Sequence, residues 1–315
     1  MKVLVTGACG FAGSHLVEHL LECGDQVVAA AAPAESTSHL DCTIDRIRVI
    51  RFDVRDKQQV HQAVADVMPD VIYHLAGVAF LPDAEADPGG LFAINTGGTI
   101  NLARALLESN PKGRMLFVSS AEVYGQVAEA DIPIKETQPI RPANLYAHSK
   151  YFAETLLDAE RKRGLNAVVI RPFTHIGPRQ RPDFSASGFA KQIARIEKHE
   201  QEPEILVGNL EARRDVMDVR DMVAAYRIAA QGTDATGPFN IGTGKAYTIR
   251  HILDTLIDQT DVEVKVTIDP NRLRPIDIPI YAGDPGYFQS ITGWKPIVPL
   301  EEMLRRLLNY WRELI

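Results

Sequence analysis

The sequence has few cysteines and lacks a long apolar run. Its three cysteines, Cys9, Cys23 and Cys42, show no metal-ligand spacing, so we predict neither a metal site nor a disulfide framework. No apolar stretch reaches the ~18 residues that a membrane-spanning helix needs. No signal-peptide pattern precedes the apolar run that follows Met1 and Lys2. We therefore expect a cytoplasmic protein in a reducing compartment.

The chain also lacks an excess of positive charge. It carries 34 lysines and arginines against 41 aspartates and glutamates, and the formal net charge is -7. This balance argues against nucleic acid or an anionic membrane as a partner. With 315 residues, of which 45% are hydrophobic and 24% charged, the composition is typical of a globular protein with a large core.

Short apolar runs alternate with helical patterns in the first half of the chain. Strands separated by helices predict a parallel sheet that is covered on both faces. The predicted fold class is α/β: a Rossmann-type doubly wound parallel sheet with a smaller C-terminal α/β substrate domain. The predicted strands are residues 2–5, 26–30, 49–52, 71–75, 115–119 and 167–170, and predicted helices include 99–107 and 150–161.

The alternation fades after residue 170, where prolines and charges become frequent. We therefore predict an NAD(P)-binding domain over residues 1–170 and a nucleotide-sugar substrate-binding domain over 171–315. A helical segment at 220–230 and an apolar run at 238–241 are expected to return to the first domain, within residues 216–245.

A glycine-rich turn follows the first predicted strand. Gly7, Gly10 and Gly13 form G-x-x-G-x-x-G, with Phe11 and Ala12 between the last two glycines. Such glycines let the backbone approach a pyrophosphate, whose charge then lies at a helix N-terminus. The pattern predicts a dinucleotide site; the alternative is a glycine-rich turn that binds nothing.

The preference between NAD and NADP stays open. An acidic residue at the end of the second strand would bind the ribose hydroxyls of NAD, and an arginine would suit the extra phosphate of NADP. Residues 28–32 are valine and four alanines, so neither is present. Asp53, after the third strand, is either a hydrogen-bond acceptor for the adenine amine or a turn carboxylate.

Tyr146 and Lys150 are four residues apart, so both project from one face of a helix. A free phenol titrates near ~10, and bringing it near 7 takes roughly 4 kcal/mol of stabilisation of the phenolate. A lysine ammonium and a positive nicotinamide ring would supply it. Ser120 follows a predicted strand, at the edge where open α/β sheets bind ligands. The alternatives are an exposed pair on a helix and a serine cap.

Together these motifs resemble the extended short-chain dehydrogenase/reductases that act on nucleotide sugars. The resemblance covers the whole chain and implies a Ser-Tyr-Lys triad of Ser120, Tyr146 and Lys150. It also implies that Ala76 and Asn95 lie along the cofactor. The full set of expected cofactor-binding residues is Gly7, Gly10, Phe11, Ala12, Gly13, Asp53, Val54, Leu75, Ala76, Gly77, Asn95, Tyr146, Lys150 and Pro172.

Segments of the second half resemble the GDP-mannose branch of that family, among them residues 171–178, 189–193 and 207–215. By this resemblance Arg214, Arg274 and Lys191 face the nucleotide diphosphate, since guanidinium groups suit paired phosphate oxygens. Salt bridges at the surface or between domains are the alternative for each arginine. The other expected substrate-binding residues are Thr174, His175, Val207 and Asn209.

The branch contains 4,6-dehydratases and 4-ketoreductases, and Glu122 bears on the choice between them. A dehydratase needs a carboxylate base near C5 of the sugar, and Glu122 occupies the matching position. Segments 123–130, 176–178 and 214–221 resemble the reductases more closely. We therefore predict reduction of the C4 ketone of a GDP-4-keto-6-deoxyhexose to a GDP-D-rhamnose type product, with dehydratase or epimerase activity as the alternative. Thr174, where the family usually has asparagine, leaves the hexose open.

The resemblance also implies a homodimer formed through the helices at 99–107 and 150–161. A regulatory protein that senses the cofactor without turnover is a further alternative, although such proteins tend to lack the Tyr/Lys pair. His148 and His175 show no metal-ligand spacing, and we interpret them as structural or solvent-facing.

Overall fold

A computed structural model describes residues 1–231, 235–272 and 278–315. The strands are β1 Lys2–Thr6, β2 Gln26–Ala31, β3 Arg48–Arg51, β4 Val71–His74, β5 Arg114–Val118, β6 Asn166–Pro172, β7 Thr174–Ile176, β8 Glu204–Val207, β9 Arg213–Asp218, β10 Phe239–Ile241, β11 Ala246–Thr248, β12 Lys265–Ile268 and β13 Ile280–Tyr281. The α-helices are α1 Phe11–Glu22, α2 Lys57–Val67, α3 Leu81–Ala86, α4 Pro88–Phe92, α5 Thr99–Ser109, α6 Leu145–Arg161, α7 Ser185–Glu197, α8 Val219–Gln231, α9 Ile249–Ile257, α10 Gly286–Thr292 and α11 Leu300–Leu314.

Seven strands form one parallel sheet in the order β10-β6-β5-β4-β1-β2-β3. This order reverses between β1 and β4, as in dinucleotide-binding Rossmann folds. The predicted α/β fold class is therefore confirmed. The last strand, β10, comes from the late apolar run near residue 238 and pairs with β6.

The central strands are apolar on both faces because helices cover the sheet on each side. Val3, Leu4 and Val5 of β1 are fully buried. On one face α1 and α8 pack against the sheet, and on the other α2, α5 and α6 do so. Burial on both faces explains why β1 is a continuous apolar run with no polar alternation.

The C-terminal part has its own core, formed by α7, α9 and α11 around β8. Its main small sheet is built on β9, which pairs with β7, β11 and β13. The proposed division of the chain at residue 170 stays a prediction; β6 extends to Pro172.

Helix α6 begins at Leu145, five residues before the predicted start at 150. Asn144 caps it, and the Asn144 side-chain oxygen accepts a hydrogen bond from the Ala147 N–H at 2.8 Å. The predicted start was wrong because Asn144, which precedes the helix, supplies a hydrogen-bond acceptor for a backbone N–H of the first turn. As a consequence Tyr146 lies in the first turn of α6.

His74, at the end of β4, ties the sheet to α5. Its Nδ1 lies 2.7 Å from the Thr6 hydroxyl and its Nε2 lies 2.9 Å from the Thr99 hydroxyl. Burial, together with the charge of Lys150, lowers the pKa of His74 to about 3. The ring is therefore neutral in the folded protein at neutral and mildly acidic pH.

We expect His74→Gln to flatten the acid side of the stability profile. Between pH 6.5 and 5 the unfolded chain protonates His74 and the folded chain does not, so wild-type stability falls as pH falls. The slope that this residue contributes rises from about 0.7 kcal/mol per pH unit at pH 6.5 to about 1.3 kcal/mol per pH unit at pH 5. Urea unfolding at several pH values would measure it, and an unchanged slope in the variant would contradict the assignment.

Candidate active site

The glycine-rich turn between β1 and α1 leaves no room for side chains. Gly7 has a φ of +69°, and a Cβ there would lie 2.7 Å from the Ala76 nitrogen. A Cβ on Gly13 would lie 1.9 Å from the Gly7 carbonyl oxygen. The turn therefore requires glycine at both positions, because the backbone of β1, the turn and the loop after β4 meet closely there.

The same turn has the features that a pyrophosphate needs. Gly10 is the N-cap of α1 and makes no side-chain cap bond, so Phe11, Ala12 and Gly13 form an uncapped first helical turn. Backbone N–H groups in such a turn, with the helix dipole, favour an anion. The cradle of glycines and the uncapped helix thus fit a dinucleotide.

A second close approach links this turn to the centre of the site. A Cβ on Gly77 would lie 2.8 Å from the Asn95 side-chain oxygen and 3.4 Å from the Lys150 Nζ. Leu75, Ala76 and Gly77 therefore run from the glycine-rich turn to Lys150. An extended cofactor lying along these residues would have one end at the turn and the other at the lysine.

Ser120, Tyr146 and Lys150 come together at the carboxyl end of β5. Ser120 is 7% exposed and Tyr146 is 9% exposed. The Ser120 hydroxyl accepts a hydrogen bond from the Glu122 N–H at 3.1 Å and also interacts with the Tyr146 phenol. The Lys150 Nζ lies 6.0 Å from the centre of the Tyr146 ring and donates to the Val118 carbonyl at 2.9 Å. The structure thus places the three residues at one site.

The environment favours a protonated phenol. Burial raises the pKa of Tyr146, the charge of Glu122 raises it further, and the hydrogen bond with Ser120 lowers it. Burial lowers the pKa of Lys150 to about 8, although Glu154 opposes that change. The lowering of the phenol pKa by Lys150 and the nicotinamide ring stays a prediction for the complex with cofactor.

Glu122 lies beside the phenol. Its carboxylate accepts a hydrogen bond from the Asn144 amide at 2.8 Å. The Glu122 charge raises the pKa of Tyr146, and it adds to the effect of burial in raising that of Tyr281. Tyr281 belongs to the C-terminal part and donates to the Ala121 carbonyl at 2.5 Å. The carboxylate is therefore within electrostatic reach of both the phenol and the C-terminal part.

A buried ion pair lies directly behind the three residues. Arg171 on β6 donates to both oxygens of Glu154 on α6, at 3.0 and 2.6 Å. The Ser119 hydroxyl also donates to Glu154. Arg171 donates in addition to the Tyr124 hydroxyl at 2.9 Å, and Tyr124 donates to Asn240 on β10 at 2.8 Å. The network fixes α6 against the ends of the three strands β5, β6 and β10.

We expect Glu154→Gln to destabilise the fold by roughly 3–5 kcal/mol, because it leaves the buried Arg171 charge without its partner. The matched control is Asp158→Asn, on the same helix, whose carboxylate pairs with Arg161 but is 63% exposed. That change should cost about 1 kcal/mol or less. Urea unfolding of both variants would measure the difference, and equal losses would contradict the assigned role of the pair.

Several expected cofactor residues have protein partners in this structure. The Asp53 carboxylate accepts three hydrogen bonds from the Arg55 guanidinium, at 2.6–3.0 Å. The Asn95 side chain bonds the Val78 backbone at 2.8 and 3.0 Å. The Asn95 amide donates to Ser149 as well, at 2.9 Å. Asp53 thus forms the turn interaction that was its alternative, and the cofactor contacts of every residue named for that role, Asp53, Val54, Asn95 and Pro172 included, stay predictions.

The expected substrate residues are more scattered. Thr174 is exposed on β7, while His175 next to it stacks on Phe11 of the glycine-rich turn, with ring centres 5.6 Å apart. Lys191 lies over the Trp311 ring at 5.2 Å. The Val207 side chain is fully buried in the C-terminal core, so that only its backbone could contact a ligand.

The two remaining polar residues belong to the loops and strands around β9. Arg214 donates to the Ile278 carbonyl at 2.7 Å, and the Asn209 side chain accepts from the Glu211 N–H at 3.0 Å. Arg274 lies outside the described residues. The roles of these residues in binding a diphosphate stay predictions.

The described residues contain no group of three or more metal-ligating side chains that could hold a metal ion. Within the same part of the chain, every helix is too short or too polar to span a membrane.

The chain resembles known proteins over nearly its full length. The family model for GDP-mannose 4,6-dehydratase matches residues 4–307. The chain belongs to the GDP-mannose 4,6-dehydratase family. It is thus an NAD(P)-dependent short-chain dehydrogenase/reductase of the nucleotide-sugar type, which confirms the predicted resemblance and enzyme class.

Individual relatives agree with this placement. GDP-6-deoxy-D-mannose reductase of Pseudomonas aeruginosa is 34% identical over 98% of this chain and 97% of its own. RMD of the same organism, solved in complex with NADPH, has a TM-score of 0.87 at 32% identity, over 100% and 99% of the two chains. UDP-glucose 4-epimerase of Thermus thermophilus, solved with NAD, gives 0.88 at 29% identity over both full chains. A nicotinamide cofactor is therefore supported, and the preference between its two forms stays open.

Two residues that hold the site in place, Asn144 and Glu154, were not predicted from the sequence. Glu154 lies four residues after Lys150 on the same face of α6. That spacing was the one available signal for Glu154. Asn144 pairs with Glu122 and Glu154 pairs with Arg171, and each partner is 17 or more residues away in the sequence. Only the structure shows these two pairings.

Proposed function

We propose that this enzyme reduces the C4 ketone of a GDP-4-keto-6-deoxyhexose with NADH or NADPH, to a product of the GDP-D-rhamnose type. The observation that carries the proposal is the meeting of Ser120, Tyr146 and Lys150 at the carboxyl end of β5, beside the glycine-rich turn. The 34% identity to a GDP-6-deoxy-D-mannose reductase supports the substrate class.

The cofactor, when bound, supplies a hydride to C4 of the sugar. The chain supplies the proton: the Tyr146 phenol donates it to the carbonyl oxygen as that oxygen gains negative charge. Its raised pKa keeps the phenol protonated and ready to donate. One hydride and one proton thus convert the ketone to a secondary alcohol.

Ser120 and Lys150 assist this transfer. The Ser120 hydroxyl, next to the phenol, holds the carbonyl oxygen in line with the proton. Once Tyr146 has given up its proton, the Lys150 ammonium on the same helix face stabilises the phenolate. Lys150 is fixed for this role by the Val118 carbonyl, so little reorganisation is needed.

On the substrate side, Arg214 and Lys191 would bind the diphosphate, with Thr174 and His175 near the sugar. Arg214 is on β9, which pairs with both β7 and β13. Lys191 is on α7, where its ammonium lies over the Trp311 ring.

A second candidate function is a 4,6-dehydratase or epimerase with Glu122 as base. The observation in its favour is the placement of the Glu122 carboxylate within electrostatic reach of the Tyr146 phenol. The Glu122 carboxylate also has a structural role, because it accepts a hydrogen bond from Asn144, the residue that caps the start of α6.

Two reaction mixtures separate these candidates. One contains GDP-mannose alone, and the other contains GDP-4-keto-6-deoxy-D-mannose with NADH or NADPH. We expect stoichiometric oxidation of the cofactor only in the second mixture. Formation of a 4-keto sugar from GDP-mannose without net use of cofactor would instead establish the dehydratase and give Glu122 its catalytic role.

We expect Tyr146→Phe to reduce turnover by about 10²–10⁴-fold, because it removes the proton donor, while the affinity for cofactor stays nearly unchanged. The control is Tyr73→Phe, which removes a buried hydroxyl that has no hydrogen-bond partner among the described residues. Steady-state kinetics and cofactor titration would measure both variants. Full turnover in Tyr146→Phe would contradict the role of Tyr146 as proton donor. A wild-type protein that binds the cofactor without turnover would be the cofactor sensor.

We also propose that the enzyme is a homodimer. Leu145, Phe152 and Leu156 on α6 are 36%, 47% and 37% exposed, and Phe92 lies beside Phe152 with ring centres 5.9 Å apart. An exposed apolar stripe on a helix is suited to packing against the same stripe of a second copy.

Phe152→Asp should therefore convert the dimer to a monomer, because it buries a charge in an apolar interface. Ile297→Asp is the control, since Ile297 is 82% exposed and lies away from α6 in a loop. Light scattering after size-exclusion chromatography gives the mass. A monomeric wild-type protein, or a variant that stays dimeric, would contradict the proposal.

A further inference from the structure

The short strand β13 connects the strand that carries Arg214 with the loop that carries Ser120. β13 pairs in parallel with β9, and Tyr281 is in register with Arg214. Residues in register on neighbouring strands point to the same face of a sheet, so these two side chains share a face. The Arg214 Nη1 also donates to the Ile278 carbonyl at 2.7 Å, just before β13. Arg214 and Tyr281 therefore belong to one local unit of the C-terminal part.

The Tyr281 hydroxyl joins this unit to the reactive loop. It donates to the Ala121 carbonyl at 2.5 Å, and Tyr281 is 8% exposed. Ala121 lies between Ser120 and Glu122, at the start of the turn that follows β5. Burial raises the pKa of Tyr281, the charge of Glu122 raises it further, and the charge of Arg214 lowers it. The hydroxyl is thus within electrostatic reach of both the arginine on β9 and the carboxylate of the reactive loop.

Other contacts hold β13 in place without this hydroxyl. The Tyr281 ring packs against the Phe173 ring, with ring centres 5.5 Å apart. The Ile134 N–H donates to the Ala282 carbonyl, and the Asp284 N–H donates to the Ile134 carbonyl, each at 2.8 Å. Ring packing and backbone hydrogen bonds therefore support the fold of this region. The bond from the hydroxyl to Ala121 bears instead on the position of the reactive loop.

We propose that Tyr281 is a positioning residue that fixes the distance between the diphosphate site on β9 and the reacting groups at the end of β5. A nucleotide sugar held by Arg214 at one end presents its carbonyl to Ser120 at the other. Because Tyr281 joins the two ends, the free energy of binding the nucleotide serves to orient the carbonyl. This inference rests on the proposed function, in which Arg214 binds the diphosphate and Ser120 holds the carbonyl oxygen.

Tyr281→Phe removes the hydroxyl and keeps the ring. With GDP-4-keto-6-deoxy-D-mannose we expect kcat to fall about tenfold, because the carbonyl is no longer held in line with the proton donor. KM should change by less than about twofold, since Arg214 still binds the diphosphate. The 1-phosphate of the same keto sugar lacks the nucleotide, so nothing fixes its distance from β9. Its kcat/KM should therefore stay within about twofold of the wild-type value.

Tyr73→Phe is the matched control. It also removes a buried phenol hydroxyl, one that has no hydrogen-bond partner among the described residues, and it should leave the rates with both substrates unchanged. Urea unfolding shows whether each variant is folded. Isothermal titration calorimetry with GDP shows whether nucleotide binding is intact, and we expect the affinity of Tyr281→Phe for GDP to equal that of the wild type.

Hydrogen exchange on the wild-type enzyme tests the same link without a variant. GDP alone fills the proposed diphosphate site and carries no sugar that could contact Ser120. If Tyr281 couples the two sites, saturating GDP should slow the exchange of the backbone amides at 119–125. The same addition to Tyr281→Phe should leave that exchange unchanged.

Several results would overturn this inference and leave the proposed function intact. An equal loss of rate with both substrates in Tyr281→Phe would indicate support of Ser120 alone. Unchanged kinetics with the GDP sugar would also overturn it, and so would wild-type exchange at 119–125 that GDP does not slow. In each case the wild-type enzyme still reduces the GDP sugar. If the wild-type enzyme oxidises no cofactor with the GDP sugar, the proposed function itself fails and the inference fails with it.

Discussion

The ion pair of Glu154 with Arg171 joins the reactive helix to the sheet. Without it, α6 would rest on the sheet through apolar contacts, which fix the position of a helix less precisely than a bidentate pair. The pair also lies one helical turn from Lys150 and one residue from Ser120, through Ser119. Burying the two charges costs desolvation free energy. The ion pair and its hydrogen bonds offset that cost only when every partner is in place. The positions of phenol, ammonium and serine hydroxyl all depend on that arrangement.

A second constraint is the close approach of backbone at the cofactor turn. Gly7, Gly13 and Gly77 each lie where a Cβ would collide with a neighbouring segment. These contacts bring the glycine-rich turn against the loop after β4, and that loop in turn approaches Lys150. The parallel sheet brings the carboxyl ends of β1, β4 and β5 to one edge, and the site follows from that topology.

Much of this could be predicted from the sequence because the signals are local. The strand of β1, the glycine turn and the four-residue spacing of Tyr146 and Lys150 each lie within a dozen residues, and all are found as expected. What could not be predicted depends on tertiary contacts. Asn144 meets Glu122 across 22 residues, and Arg51 reaches the loop after β2 from the next strand. The buried side chain of Val207 shows the same limit, since strand periodicity does not reveal which face meets a second core.

In the proposed reaction, hydride reaches C4 of the sugar at the site formed by Ser120, Tyr146 and Lys150. The most direct test is transfer from NADH or NADPH that carries two deuterium atoms at C4 of the nicotinamide ring, with GDP-4-keto-6-deoxy-D-mannose as acceptor. We expect one deuterium at C4 of the product hexose, seen by NMR as loss of the C4 proton signal. Deuterium at another carbon of the sugar, or a product without deuterium, would contradict it.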